Sequence, residues 1–202
     1  MALWLATDPL VLASRSAARR MLLQAAGIAV DLKPADLDER GAEADALSQQ
    51  PAAIAALLAR AKAVSVATLC PGRLVLGADQ TLALSGRRFS KPVDRAAARA
   101  QLAALCGHTH ELHSAIAFVQ DATVLFEHVA TARLTMRSFS QHFLDLYLDH
   151  AGTAATASVG AYQIEGPAIQ LFERIDGDYF TILGLPLLPA LDFLRQRGCL
   201  AT

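Results

Sequence analysis

The chain has 202 residues, 53% hydrophobic and 18% charged, with a formal net charge of −1. That is enough apolar material for a sizeable core in a single domain. The near-neutral charge excludes a broad electrostatic attraction to nucleic acid, so an anionic ligand must be held by a few placed cations. Three cysteines, Cys70, Cys106 and Cys199, are far apart and form no CxxC pair. They argue against a zinc ribbon or a disulfide framework and for a reducing, cytoplasmic setting. The opening MALWLATDPLVLAS has no basic leader, its apolar run is broken by Asp8 and Pro9, and no stretch nears the ~20 apolar residues of a membrane span. No membrane partner is expected.

In chain order, residues 10–13 read as a short apolar strand, followed by a helix over 17–26 that Gly27 ends. Ala-rich stretches around 41–69 and 94–105 favour helix, since alanine is the best helix former. Within the first, residues 54–69 present Ile54, Leu57, Leu58, Ala61 and Ser65 on one face. Residues 74–76 form a buried strand running into Gly77-Ala78-Asp79, and the helix over 94–105 stops before Cys106-Gly107. Strand-like runs at 113–119 and 123–132 flank a turn at Gln120-Asp121, and residues 131–136 extend the second. A helix over 140–150 takes Ser140 as its N-cap. A Gly-rich turn (158–166), an apolar segment (169–172) and a last helix (189–196) complete the chain. The alternation points to a mixed α/β fold.

Two segments stand out chemically. In LASRSAARR (12–20) a strand ends, two serines follow and Arg19 and Arg20 fall in the first helical turn. Cations there oppose the helix dipole by about 0.3–1 kcal/mol each. An anion between them would offset this, with Ser14 and Ser16 offering hydroxyls and backbone N–H groups. The competing reading is a serine N-cap with surface arginines. In LVLGADQT (74–81), Asp79 directly follows a buried strand, where open α/β sheets place ligand-binding groups. It suits a metal ligand or a proton acceptor, and equally a turn aspartate.

Neither GxxxxGK[ST] nor GxGxxG occurs, so backbone phosphate cradles of those kinds are absent and side-chain cations must serve instead. Arg19, Lys62 and Lys91 are the candidates. Lys62 lies at the edge of the apolar stripe beside Leu58, where its stem can be buried and its ammonium aimed into a cleft or out to water. Lys91 precedes Pro92. His108, His110 and His113 raise a zinc site, but an extended backbone puts only His108 and His110 on one face. A structural, hydrogen-bonding role for His110 is the alternative. Glu165 lies in a Gly-flanked turn, either near a ligand or simply in solvent.

Taken in order, these segments resemble the Maf family: LASRSAARR, the acidic run 35–39, Leu58–Ala63, GADQT, SKP, Gly107–His110, Gly160–Gly166 and Gly184–Leu187. The match is collinear from about residue 10 to residue 190. The resemblance implies an elongated mixed sheet flanked by helices, similar to inosine triphosphate pyrophosphatases, as one domain of two lobes around a deep central cleft. It implies hydrolysis of a nucleoside triphosphate between the α and β phosphates. Asp79 would be the general base and, with Glu39, would hold Mg²⁺ or Mn²⁺. Ser14, Arg19, Lys62 and Lys91 would bind the triphosphate. Family members often form homodimers.

Departures from the family pattern bear on the base. Ala17 replaces a proline and Ser90 a glycine. Gln80 and Glu165 are similar to the branch acting on 7-methyl-GTP rather than to the dTTP/UTP branch, yet Ala18 stands where that branch carries tryptophan. A carboxylate can accept from N1–H and the 2-amino group of guanine, whereas the missing aromatic removes a stacking surface for a cationic base. A 7-methyl-GTP-like or broad preference is expected, with Ala18, Gln80 and Glu165 as specificity positions. Three rivals remain: an inosine triphosphate-type pyrophosphatase, a nucleotide-binding regulator of cell division and septum formation with little turnover, and a zinc hydrolase built on His108 and His110.

Overall fold

The chain is described in a computed structural model covering residues 3–44, 46, 48–121 and 123–202. Strand β1 (Leu10–Leu12) is followed by α1 (Ala17–Ala25), β2 (Val30–Leu32), α2 (Glu39–Ala44), α3 (Pro51–Ala67), β3 (Val75–Leu84) and β4 (Arg87–Phe89). Next come α4 (Arg95–Leu105), β5 (Thr109–Gln120), β6 (Thr123–Met136) and α5 (Gln141–Ala151). The last elements are β7 (Phe172–Asp176), α6 (Tyr179–Ile182) and α7 (Leu187–Gln196). The fold is mixed α/β: a seven-stranded sheet in the order β2-β1-β3-β5-β6-β7, with β4 paired to β3. β1 runs parallel to both β2 and β3, whereas β3–β4 and β6–β7 are antiparallel.

Two compact units divide the chain. One comprises residues 1–80, 114–130 and 179–202; the other comprises residues 81–113 and 131–178. In the first, Ala55, Ala59, Ala63, Val66 and Ala67 of α3 pack on Val11, Val75, Ala115, Ala117 and Val119 of the sheet. The buried stripe of α3 thus differs from the expected one, since Leu57, Ala61 and Ser65 are only half-buried. A helix apolar on nearly every side carries little phase information. The alanine face wins because small side chains let helix and sheet approach closely. The alternate residue Phe118 turns the other way, against Phe193 of α7 at 4.5 Å between ring centroids.

The second unit follows its local signals closely. Asp94 caps α4 by accepting from the Ala97 amide at 2.7 Å, and Ser140 caps α5 by accepting from the Phe143 amide at 3.1 Å. Arg99 Nε donates to Asp145 at 2.9 Å, tying α4 to α5. β5 begins at Thr109, four residues before the expected start, and so takes in the whole of THELH. The Gly-rich segment forms short 3₁₀ turns around Gly160, whose φ of +83° suits glycine.

His108, His110 and His113 fall into three different settings in this unit. His108 is exposed, with Nδ1 2.8 Å from the Cys106 carbonyl. His113 meets Thr131 at 3.0 Å and Glu111 at 3.2 Å. His110 is fully buried, with Nε2 2.7 Å from the Tyr162 hydroxyl and its ring beside Tyr162 and Phe172. The structural, hydrogen-bonding reading of His110 holds. Its Nδ1 has no partner among the described residues, and burial draws the imidazole down to about 4.

Because the folded state resists the proton that the unfolded chain accepts near pH 6.5, stability is full above that pH. It declines as pH falls toward 4, by about 3 kcal/mol in all. Denaturant unfolding at stepped pH should show this slope, and His110→Phe should flatten it; an unaltered slope in the variant would assign the acid sensitivity elsewhere.

Candidate active site

Asp79 reaches its position through the packing of β3 on α3. Gly77 and Asp79 are two residues apart and share a strand face. A Cβ on Gly77 would strike the Ala59 carbonyl oxygen and lie 2.7 Å from the Ala63 amide nitrogen. Only glycine lets the strand come this close, and Ala59 and Ala63 leave room on the helix side. Lys62 is drawn onto Asp79 by that approach, its Nζ 2.5 Å from Oδ1. The same ammonium lies 2.9 Å from Glu39 at the start of α2. Lys62 and Asp79 side chains are 12% and 11% exposed, so the lysine ammonium is turned inward onto the carboxylate rather than snorkelling to water.

Burial pushes the Asp79 carboxyl above the usual carboxylate range, against the opposing pull of Lys62 and Arg19, and Glu39 adds to the rise. A carboxylate held there has more affinity for a proton than a solvated one. Removing two charges from water costs several kcal/mol per ion, which a buried pair regains only with good geometry. This pair is therefore weak evidence for stability and better evidence for a working site.

Arg19 departs from the surface-arginine reading. Ser16 caps α1, accepting from the Arg19 amide at 3.3 Å. The guanidinium turns inward. Nε donates to the Gly184 carbonyl at 2.7 Å, and Nη1 donates to the Ala78 carbonyl at 2.7 Å and to Ser14 Oγ at 3.1 Å. Two carbonyls meet the cation and offset its unfavourable place at a helix N-terminus. Burial draws the guanidinium below its ordinary value, while Asp79 and Glu39 act the other way. Gly184 has φ +88°, and a Cβ there would stand 3.3 Å from Arg19 Nη2 and 3.5 Å from Gln80 Oε1. Sequence reasoning gave Gly184 no role; its place in a GLPL motif was the only signal.

Ser14, Arg19, Glu39, Lys62, Asp79 and Gln80 all belong to the first unit, as does half-buried Ala18 in the first turn of α1. Lys91 and Glu165 belong to the second unit, where both are exposed. Beside α1, Ser14, Arg15, Ser16, Ala17, Arg20, Leu32 and Pro34 line a concavity of about 240 Å³. Among the described residues no group of three or more His, Cys, Asp or Glu is placed to hold a metal by itself. Glu39 and Asp79, two hard oxygen donors converging on one ammonium, fit a cation that arrives with a phosphate ligand. Magnesium is commonly bound by one or two carboxylates plus substrate oxygens.

A family model described as Maf-like protein matches residues 9–197. The chain belongs to the Maf family. A nucleoside triphosphate pyrophosphatase of Rhodopseudomonas palustris is 59% identical to it over 202 residues, covering both chains completely. A 7-methyl-GTP pyrophosphatase of Rhizobium etli is 50% identical over 194 residues, 95% of this chain and 98% of that protein. Among solved structures, a HAM1 protein from Coxiella burnetii has a TM-score of 0.43 at 17% identity, over 63% of this chain and 72% of that one. No helix among the described residues of this Maf protein is long and apolar enough to cross a membrane.

Chemical denaturation tests the assignment of the buried pair. Lys62→Met, which leaves the Asp79 carboxylate without its partner, should cost about 3–5 kcal/mol, and Lys62→Met with Asp79→Leu should recover most of that. A double variant as unstable as the single one would mean that the pair is held for stability after all.

Proposed function

We propose that this chain is a nucleoside triphosphate pyrophosphatase, hydrolysing its substrate between the α and β phosphates to a monophosphate and pyrophosphate. The observation that carries the reading is the meeting of Lys62, Asp79 and Glu39 where β3 packs on α3, in a chain matched end to end by a relative of that name. Asp79 takes a proton from the attacking water, whose oxygen bonds to the α phosphorus as the bridging oxygen leaves with pyrophosphate. Its raised proton affinity suits a general base. Lys62, Arg19 through its Nη2 and Lys91 offset the roughly four negative charges of a triphosphate, and Ser14 contributes its hydroxyl.

Glu39 and Asp79 would hold Mg²⁺ or Mn²⁺, which supplies further neutralisation of phosphate charge when bound. The chain's own part is to keep bulk solvent from Asp79 while admitting the attacking water, to hold its carboxylate against Lys62 and to align the triphosphate for in-line attack. The reading places the protein in removal of non-standard or modified nucleotides.

For the base we favour a guanine-like ring or a broad range. Glu165, exposed in its turn, is free to accept from a ring N–H and an amino group. The 50% identical 7-methyl-GTP pyrophosphatase supports the same direction, while Ala18 offers no stacking surface for a cationic base.

Pyrophosphate release from UTP, dTTP, GTP, 7-methyl-GTP and ITP, with Mg²⁺ or Mn²⁺, tests both parts. Wild type should turn over at least one of them, and Asp79→Asn should fall by about 10²–10⁴-fold. Glu165→Gln should reorder the preferred bases. Activity that survives in Asp79→Asn would overturn the base assignment, and an unchanged ranking in Glu165→Gln would remove Glu165 from base recognition.

A further inference from the structure

Gln80 follows Asp79 on β3, so its side chain leaves the opposite face of the strand. There Nε2 donates to Ser114 Oγ at 2.9 Å, the Thr181 carbonyl at 3.1 Å and the Ile182 carbonyl at 3.0 Å. Ser114 is fully buried, and its hydroxyl donates to the Thr181 carbonyl at 2.7 Å. That bond fixes its oxygen as an acceptor from Gln80 and settles which end of the amide is nitrogen. Two amide protons shared among three acceptors leave this nitrogen nothing further to give.

The acceptors lie in one turn. Thr181 and Ile182 end α6, and the Thr181 carbonyl also accepts from the Gly184 amide at 3.0 Å, which closes the turn. Two residues later the chain turns at Gly184, whose carbonyl receives Arg19 Nε at 2.7 Å. Gln80 and Arg19 therefore grip the same four residues at different points. Arg19 in turn fixes Ser14 and the Ala78 carbonyl, next to Asp79. A shift at 181–182 moves the Gly184 carbonyl, and the guanidinium loses its alignment.

We infer that Gln80 and Ser114 are positioning residues of the pyrophosphatase site. They hold the 181–184 turn so that the Gly184 carbonyl sets Arg19 against Ser14 and the backbone beside Asp79. The inference rests on the pyrophosphatase reading above, and it gives Gln80 an influence on every base rather than contact with one. Ser114 makes the distinction sharp, because a fully buried hydroxyl cannot touch a nucleotide.

Steady-state kinetics of the full chain, over the same nucleotides, test this with Gln80→Met, Ser114→Ala, Arg19→Lys and the Gln80→Met/Arg19→Lys pair. Gln80→Met should lower kcat about tenfold for every nucleotide accepted, with KM within about twofold and the ranking intact. Ser114→Ala should act in the same pattern to a smaller degree. In the Arg19→Lys background, where the grip on Gly184 is already lost, Gln80→Met should cost less than about twofold more. A reordered ranking, a full multiplicative loss in the double variant, or unchanged kcat in both Gln80→Met and Ser114→Ala would overturn the inference. If Gln80→Met fails to fold, as judged by circular dichroism, Ser114→Ala, alone and combined with Arg19→Lys, decides by the same criteria. Wild type inactive on every nucleotide would fail the pyrophosphatase reading instead; active wild type with unaffected variants fails this inference alone.

Discussion

The site depends on one close approach, that of β3 to α3 at Gly77. Without a side chain there, the strand backbone comes down onto Ala59 and Ala63, and the next residue on that face, Asp79, is delivered to Lys62 of the same helix turn. The approach is a steric condition that no flexible contact can replace, because the atoms Gly77 faces are backbone or the Cβ of Ala63. An alanine-lined helix and a glycine in a central strand are each locally unremarkable. Together they bury a carboxylate against its ammonium; burial raises the proton affinity of the one, and the ion pair, which opposes that rise, places the other.

Alternation along the strand then divides the work. Asp79 faces α3, Lys62 and Glu39. Gln80 faces the other way, toward Ser114 and the turn that follows α6. Arg19 joins the two sides by bonding Ala78 between them and Gly184 beyond. Five successive residues of β3, Leu76–Gln80, thus carry a core contact, a helix contact, an anchor for Arg19, the proposed general base and a turn contact. Buried polar groups of this kind are tolerated because each finds a partner, and a fully satisfied network holds a single geometry.

Much of this was legible in the sequence, and what was not has identifiable causes. The helix start at Ser140 follows from side-chain capping, which is local, and the helix over 94–105 from its alanines. The strand running into Asp79 follows from an apolar run before a polar residue. Strands β2, β4 and β7 were not foreseen, since three to five residues carry no alternation and only pairing to a neighbour defines them. The buried face of α3 escaped periodicity because alanine makes the helix apolar nearly all round. At the site, Lys62 was visible as a stripe-edge cation, whereas Glu39 entered only through family resemblance. The partners of Arg19 lie 59 and 165 residues away and could not be read from spacing, so a surface arginine and a buried clamp looked alike. Gln80 entered as a base-specificity position, and the bonds of its amide nitrogen to Ser114 and the 181–182 carbonyls could not be read from spacing.

The proposed reaction is cleavage of a nucleoside triphosphate between its α and β phosphates, with Asp79 as the base. Phosphorus NMR of the products formed by wild type from an accepted nucleotide, with Mg²⁺ present, tests it most directly. Monophosphate and pyrophosphate in equal amounts are expected as the first products. Diphosphate and inorganic phosphate would contradict it.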